Sequence, residues 1–158
     1  AIDAAENHTR IVTPYFTPVK SLRKAIYRAL KRGVRVEIMI SEKCDIPFTP
    51  DGGFYFANQF RKRGAHIYIY KGGFHHTKVM TVDDRFCTVG STNLNSRSLK
   101  YDYEINAFIL DLPITAELDS IYKNDKENSE RMTKEYYRNR GRWRNFVGWV
   151  AHILAPVI

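Results

Sequence analysis

Residues 76–93 read HTKVMTVDDRFCTVGSTN, and this stretch decides how the chain folds and what it can do. Two apolar, β-branched runs flank the Asp83-Asp84 pair, a pattern that predicts a β-hairpin. Side chains at positions i and i+2 of a strand point to the same side, so His76 and Lys78 are expected to project together. The run Gly90-Ser91-Thr92-Asn93 would follow the partner strand and lie beside them.

The residue types in this hairpin favour the chemistry of a phosphate ester. A neutral imidazole at His76 can attack phosphorus or transfer a proton, and the ammonium of Lys78 can hold a phosphate oxygen as charge develops on it. The Ser91 hydroxyl and the Asn93 amide can reach other non-bridging oxygens. Lys78, Ser91 and Asn93 are therefore the candidate phosphate-binding residues, and we expect the site to need no metal ion or other cofactor.

Two carboxylates near the hairpin are predicted to have different roles. A histidine that reacts through one ring nitrogen needs an acceptor on the other. Glu104 is the candidate for this orienting role, because it follows the hairpin on an apolar strand where an unpartnered carboxylate is costly. Asp83 is grouped with His76 and Lys78 as a candidate catalytic residue, although a carboxylate at a hairpin more readily fixes local structure. His75 would point to the opposite face and pack there.

The rest of the pattern predicts an α/β fold. Before the hairpin, apolar runs typical of strands alternate with segments in which apolar residues recur every three or four positions, as in amphipathic helices. This alternation favours a mixed, mostly parallel β-sheet with helices on both faces. The predicted strands are 10–13, 34–40, 66–70, 76–82, 85–89 and 103–110, and the predicted helices are 19–32, 54–63 and 114–137. The proline- and glycine-rich stretch 45–53 is predicted to be a loop.

Composition limits the class of protein. The 158 residues, 44% of them hydrophobic, suffice for one domain with an ordinary core, and they exclude a fully disordered chain. With 25 Lys and Arg against 17 Asp and Glu, the formal net charge is +8, which points to an anionic partner: nucleic acid, an acidic membrane or a phosphorylated substrate. The sequence has no signal-peptide pattern and no apolar run of about 18 residues, and because it begins at Ala1 we expect it to be a piece of a longer protein.

The final segment, residues 138–158, differs in composition from the domain formed by residues 1–137. Arginines recur from Arg138 to Arg144, and two tryptophans lie on the apolar side of a predicted amphipathic helix. Such a helix suits an anionic membrane interface, where indole rings sit at headgroup depth and cations meet acidic lipids. The same face could instead pack on the domain, and the sequence leaves both alternatives open.

The spacing of the hairpin residues matches HxKxxxxDxxxxxxGSxN, the signature of the phospholipase D superfamily. Other segments are similar to the C-terminal half of bacterial cardiolipin synthases, and the resemblance covers most of the chain, from about Arg10 to Leu110. These segments are Thr13–Pro18, Arg32–Val34, Tyr103–Asn106 and the chain end from Leu154. The resemblance implies a phospholipase D-like domain, a phosphatidyltransferase activity and a place at the cytoplasmic side of a bacterial cell membrane. Attachment would come from parts outside this chain, which is itself expected to be soluble.

The family resemblance implies two such motifs in one active site, whereas this chain has one. In the family mechanism, one histidine attacks phosphatidylglycerol and forms a phosphohistidine, and the other protonates the leaving glycerol. A second phosphatidylglycerol then yields cardiolipin. We favour the acid/base role for His76, with the nucleophile as the alternative. The expected partners are phosphatidylglycerol, an anionic membrane surface, and a second motif-bearing half in the same polypeptide or in another copy of the chain.

Two rival functions belong to other classes. Small endonucleases of the same superfamily have one motif per chain and complete their site as homodimers, and a charge of +8 would suit a nucleic acid backbone as well. The similarity of the flanking segments to the lipid enzymes makes nucleic acid the less favoured partner. A non-catalytic domain that keeps a relic of the motif is disfavoured, because all six specified residues are present.

Overall fold

The computed structural model describes residues 1–45 and 49–154, and its main element is a seven-stranded β-sheet. The strands are β1 (His8–Val12), β2 (Phe16–Thr17), β3 (Arg35–Ser41), β4 (His66–Tyr70), β5 (Val79–Val82), β6 (Phe86–Gly90), β7 (Leu94–Asn95), β8 (Asn106–Ile109) and β9 (Ser129–Arg131). The α-helices are α1 (Lys20–Lys31), α2 (Thr49–Arg61), α3 (Ser96–Lys100), α4 (Leu112–Glu127), α5 (Lys134–Asn139) and α6 (Arg142–Leu154). A short 3-10 helix, Ile2–Ala4, precedes β1.

The strand order is β8-β6-β5-β1-β3-β4-β9, and β2 pairs separately with β7. The α/β class and the mixed sheet are confirmed, but the prediction that the sheet is mostly parallel is wrong. Only the β1–β3 and β3–β4 pairings of the large sheet are parallel, since those strands are joined through α1 and α2. Its other four described pairings are antiparallel. Of these four, only the β5–β6 hairpin has a connection so short that it permits antiparallel pairing alone.

Helices cover both faces of the sheet, as predicted, because the central strands are apolar on both sides. On one face Ile38 and Ile67 belong to the main core, beneath α1 and α2, where Phe60 is fully buried. On the other face Met39 packs in a smaller cluster with Tyr122 of α4. Central strands buried on both faces lack the alternation of polar and apolar residues typical of exposed sheets.

Two predicted boundaries are wrong for identifiable reasons. The loop predicted over 45–53 is partly helical, because α2 begins at Thr49 and takes Pro50 in its first turn, where proline is tolerated. Residues 46–48 of that prediction lie outside the described residues. The helix predicted over 114–137 is interrupted: α4 ends at Glu127 and β9 pairs antiparallel with β4. Met132, which is buried, follows this strand.

Beneath α4 the buried carboxylates are matched by basic side chains. Arg10 forms an ion pair with Asp119 of α4 and lies 3.5 Å from Glu37 of β3. Glu37 also pairs with Lys126 at 2.9 Å and with Arg35 at 2.8 Å. A buried charge is costly unless it is paired, so this network fixes how α4 lies on the sheet.

Helix α6 packs on α2 through small residues. A side chain at Gly148 would overlap the backbone of Asp51, and one at Gly52 would lie 3.3 Å from Ala151. Asp51 is buried and accepts a hydrogen bond from Arg140, which joins the C-terminal segment to the start of α2. Among the helices of the described residues, none is both long and apolar enough to cross a bilayer.

The turn of the predicted hairpin binds the N-terminal segment. Asp83 and Asp84 both have positive φ angles, 51° and 57°, as the central residues of a tight turn in which the Arg85 N–H donates to the Val82 carbonyl at 3.1 Å. The Asp83 carboxylate accepts hydrogen bonds from the backbone N–H groups of Glu6, Asn7 and His8 at 2.7–2.8 Å. Burial opposes ionisation of Asp83, but these three donors hold its pKa below the usual value of 3.8.

Replacing Asp83 with Asn should lower the free energy of unfolding by about 2 kcal/mol at pH 7, since a carboxylate that accepts backbone donors is lost. Because the pKa of Asp83 is lower in the folded state, its stabilisation is complete above pH 3.8 and is lost as the pH falls through the folded-state value. Urea unfolding at several pH values measures this difference.

Asp102→Asn is the matched control. Asp102 pairs with Arg97 at 3.1 Å on the surface, so its loss should cost less than about 1 kcal/mol. Equal destabilisation by both variants, or a D83N effect that does not shrink in acid, would contradict the role given to Asp83.

Candidate active site

The two ends of the motif meet at the open end of the hairpin. Val79 of β5 pairs with Val89 of β6, and the Gly90 N–H donates to the Lys78 carbonyl at 3.4 Å. His76 and Lys78 lie in the segment just before β5, so the strand predicted from residue 76 begins three residues later. The hairpin register therefore places the histidine–lysine segment beside the glycine–serine segment.

His76 presents an exposed imidazole among aromatic rings. Its ring centroid lies 5.1 Å from that of Phe74 and 6.2 Å from that of Tyr15, which it meets edge to face. In the described ranges no hydrogen bond holds either nitrogen of this imidazole, which is reachable by a substrate from solvent. The apolar rings on either side restrict its orientation without occupying its nitrogens.

Lys78 is half-buried beside two carboxylates. Its Nζ donates to the carbonyl of His76 at 2.8 Å, so the lysine also braces the backbone of the histidine. Burial lowers the pKa of Lys78, while the negative charges of Glu104 and Asp45 oppose that shift. The ammonium of Lys78 thus lies close enough to both carboxylates for their charges to favour its protonated form.

Glu104 contacts the serine of the motif. The Ser91 hydroxyl donates to Glu104, and Ser91 Oγ accepts from the Ile105 N–H at 3.0 Å. The Ser91 hydroxyl, followed by that of Ser98 and the charge of Lys78, holds the pKa of Glu104 below its usual value. Glu104 lies before β8 rather than within it, so the strand predicted over 103–110 is shorter than expected. Its role in orienting His76 stays a prediction.

The glycine of the motif permits a close backbone approach. A side chain at Gly90 would overlap Asn106 and the Ile105 carbonyl. Asn106 Oδ1 accepts from the Thr92 N–H at 3.2 Å and from the Thr92 hydroxyl at 2.8 Å, and its Nδ2 donates to Thr88 at 3.1 Å. These bonds fix the segment that carries Ser91.

Asn93 has a side-chain oxygen that is free to accept a hydrogen bond within the described part of the chain. Its Nδ2 donates to the Ser98 hydroxyl at 3.4 Å, whereas its Oδ1 is buried with no hydrogen-bond partner in the part of the chain that the structure describes. Phosphate binding by Ser91 and Asn93 stays a prediction.

Two residues near His76 were missed by the sequence analysis. Tyr15 donates its hydroxyl to Asp45, and burial together with that acid raises the pKa of Tyr15. The hydrogen bond from Tyr15, and to a lesser degree the charge of His76, lowers the pKa of Asp45. Asp45 follows the carboxyl end of β3, an edge where ligands commonly bind in α/β proteins, and this position was the available signal.

An open pocket of about 420 Å³ adjoins the site. Lys78, Glu104 and Asn106 contribute polar groups to its wall, and Leu99 and Phe108 contribute apolar ones. A ligand with a charged head and an apolar body would find both kinds of surface there.

Asp83 and the remaining histidines lie away from this site. Asp83 is at the closed end of the hairpin, where it binds the N-terminal segment as described above, and its catalytic role stays a prediction. His75 packs on Tyr70, with ring centroids 4.4 Å apart, and pairs with Asp125 at 2.9 Å. His8 lies 3.2 Å from Asp84 and 2.8 Å from the guanidinium of Arg10.

Known proteins share both the sequence and the fold. The family model "Cardiolipin synthase, PLD-like domain" matches residues 1–126. A cardiolipin synthase of Oceanobacillus iheyensis is 35% identical over 98% of this chain and 32% of its own length. The major cardiolipin synthase ClsA of Bacillus subtilis is 37% identical over 99% of this chain and 33% of its own length. The chain thus spans about one third of these relatives.

Solved structures with lower identity show the same fold. The phospholipase D family member Nuc of Salmonella typhimurium has a TM-score of 0.73 at 23% identity, covering 85% of this chain and 87% of its own. A phosphatidylserine synthase of Haemophilus influenzae has a TM-score of 0.72 at 19% identity, covering 98% of this chain and 40% of its own. The family model, which matches most of the residues, shows that the chain belongs to the family of cardiolipin synthase PLD-like domains.

Proposed function

We propose that this chain is the C-terminal half of a cardiolipin synthase, which transfers a phosphatidyl group between two phosphatidylglycerol molecules. The observation that carries the proposal is the grouping of His76, Lys78, Ser91 and Glu104 at one end of a hairpin, in a chain 35–37% identical to two cardiolipin synthases. An exposed imidazole beside a lysine suits attack on a phosphodiester or protonation of its leaving group.

The chemistry follows from these groups. A histidine nitrogen forms a bond to phosphorus as the bond from phosphorus to the glycerol oxygen breaks, and a second histidine protonates that oxygen. The hydroxyl of another phosphatidylglycerol then attacks phosphorus, loses its proton to the second histidine and releases the first one. The products are cardiolipin and glycerol. Lys78, Ser91 and Asn93 stabilise the charge on the non-bridging oxygens, and His76, as the histidine of the second motif, is the acid and base.

The second histidine would come from a half that precedes this chain in a longer polypeptide. An exposed apolar surface beside the site suits its docking, since monomeric proteins rarely leave such patches uncovered. This edge surface consists of Leu99, Tyr101, Tyr103, Ile105, Phe108 and Leu110. Tyr103 is fully exposed, and Leu99 and Phe108 also line the pocket. Burying the edge surface under a second half would enclose the site.

The proposed function places the protein at a bacterial membrane, because both substrates are membrane lipids. The two-motif enzyme, meaning this chain with its preceding half, would be held there by parts outside this chain.

The chain alone should not transfer phosphatidyl groups, because it has one motif histidine of the two that the reaction needs. Incubation with radiolabelled phosphatidylglycerol, followed by lipid chromatography, measures cardiolipin formation. The two-motif enzyme should form cardiolipin, and His76→Ala should reduce its rate by at least about 10³-fold. Transfer by a monomer of this chain, or an unchanged rate in H76A, would contradict the proposal.

Two variants distinguish Glu104 from Asp45 as the carboxylate that orients His76. If Glu104 orients it, Glu104→Gln should lower kcat by about 10²-fold or more with little change in KM, because the amide cannot stabilise an imidazolium. The isosteric Asp45→Asn is the matched control and should change kcat less than about fivefold. Each variant is assayed in the two-motif enzyme over pH 5–9. A larger loss in D45N than in E104Q would assign the orienting role to Asp45.

The rival function, a homodimeric endonuclease, is tested on the same samples. The flanking segments and the 35–37% identity to cardiolipin synthases favour the lipid substrate. Cleavage of plasmid DNA by dimers of this chain in the presence of EDTA, lost in H76A, would establish the nuclease instead.

A further inference from the structure

Helix α6 has an unusual outer face. Trp143, Phe146, Trp149 and Ile153 follow one side of the helix and form what we call the aromatic stripe. Neighbouring rings in it lie 5.9 Å apart, centroid to centroid, from Trp143 to Phe146 and from Phe146 to Trp149. Trp143 is 72% exposed and Ile153 is 54% exposed. The three large rings thus contact one another, with interplanar angles of 32° and 30°, and remain largely exposed.

The stripe is fixed on the outside by the packing of the opposite side. At 100° per residue, Gly148 and Ala151 lie across the helix from Phe146 and Ile153. Gly148 lies against the Asp51 backbone, and Ala151 lies near Gly52. The Asp51 carboxylate accepts hydrogen bonds from both Arg140 and Arg144. Rotating the stripe inward would break this ion pair and force the rings into a contact that glycine alone allows.

The charge around the stripe has one sign. From Tyr136 to the end of the sequence there are four arginines and no Asp or Glu. Arg140 and Arg144 both form ion pairs with Asp51. Arg138 and Arg142 are exposed and form no ion pair within the described ranges, and Arg142 lies at the start of the helix beside Trp143. Exposed indoles next to unpaired guanidinium groups match a surface with apolar depth and anionic headgroups.

The stripe is separate from the edge surface. Helix α6 lies on α2, which packs against β2, β3 and β4, whereas the edge surface surrounds β8 at the far end of the sheet. A second half that covers β8 would leave α6 open. A side chain added at Gly52 would meet both Ala151 of α6 and, at 3.4 Å, Thr17 of β2. Tyr15, just before β2, meets His76 edge to face. The helix is therefore joined to the site through α2 and β2.

We infer that α6 is a docking surface for an anionic lipid bilayer, with the aromatic stripe in the headgroup region and Arg138 and Arg142 at acidic headgroups. The inference rests on the proposed function only in the choice of phosphatidylglycerol as the anionic lipid. Docking through α6 would hold the domain on the bilayer independently of any substrate in the site.

The tryptophans report this contact directly, because the chain has only two and both lie in the stripe. Adding vesicles of phosphatidylglycerol and phosphatidylcholine to the 158-residue chain should shift the tryptophan emission to the blue, and brominated lipids should quench it. Phosphatidylcholine vesicles alone should have a much smaller effect, and 0.5 M salt should weaken the binding. Unshifted emission with the anionic vesicles would overturn the inference.

Phe146→Ser with Ile153→Ser removes apolar area and keeps both tryptophans. Vesicle partitioning should weaken at least about tenfold. The matched control is Tyr103→Ser with Phe108→Ser in the edge surface, which should bind vesicles like the parent chain.

Circular dichroism checks that each variant is folded. Arg138→Gln with Arg142→Gln provides an independent test that leaves the apolar face intact. Equal binding by the F146S/I153S variant and the parent would overturn the inference.

Two measurements separate this inference from the proposed function. H76A should bind vesicles like the parent chain, whatever its effect on transfer, since the stripe does not include the site. In the two-motif enzyme without lipid, acrylamide should quench the tryptophans as it does in the chain alone. Protection from acrylamide there would show that the preceding half covers α6, and the bilayer would be excluded as its occupant.

Discussion

The register of the β5–β6 hairpin is the constraint on which the rest of the site depends. Because Val79 pairs with Val89, Lys78 and Gly90 are neighbours across the open end, and the histidine and serine segments cannot separate without breaking the ladder. Asp83, Asp84 and Arg85 connect the paired residues Val82 and Phe86, and this short turn fixes the length of both arms. The fixed spacing of the motif therefore follows from the register of the hairpin, and its aspartate lies in the turn.

The charges of the chain fall into groups with different physical roles. The buried carboxylates Glu37, Asp51 and Asp119 are each met by arginine, and these pairs attach α4 and α6 to the domain. At the site, burial lowers the pKa of Lys78, and the negative charges of Glu104 and Asp45 oppose that shift. Part of the net positive charge comes from the C-terminal segment, because the sequence after Glu135 has four arginines and no Asp or Glu.

What could be predicted from sequence was what neighbouring residues determine. The hairpin depends on short-range pattern, and the structure places both ends of the motif together. Strand order depends on contacts between distant segments, so a mixed, mostly parallel sheet was expected where most described pairings are antiparallel. β9 was missed because its three residues are polar and it forms only when β4 is already in place. Tyr15 and Asp45 were missed for the same reason, since they are 30 residues apart and meet only in the folded chain.

Strand β8 has a further consequence. Within the described residues its backbone pairs with β6 alone, so one side of it presents unpaired N–H and C=O groups next to strongly exposed apolar side chains. An open strand edge of this kind is a template for another strand, and natural proteins usually blunt it with charge or cover it. This one keeps Phe108 at its centre and has no lysine. When nothing covers this edge, the chain is therefore expected to self-associate through β8.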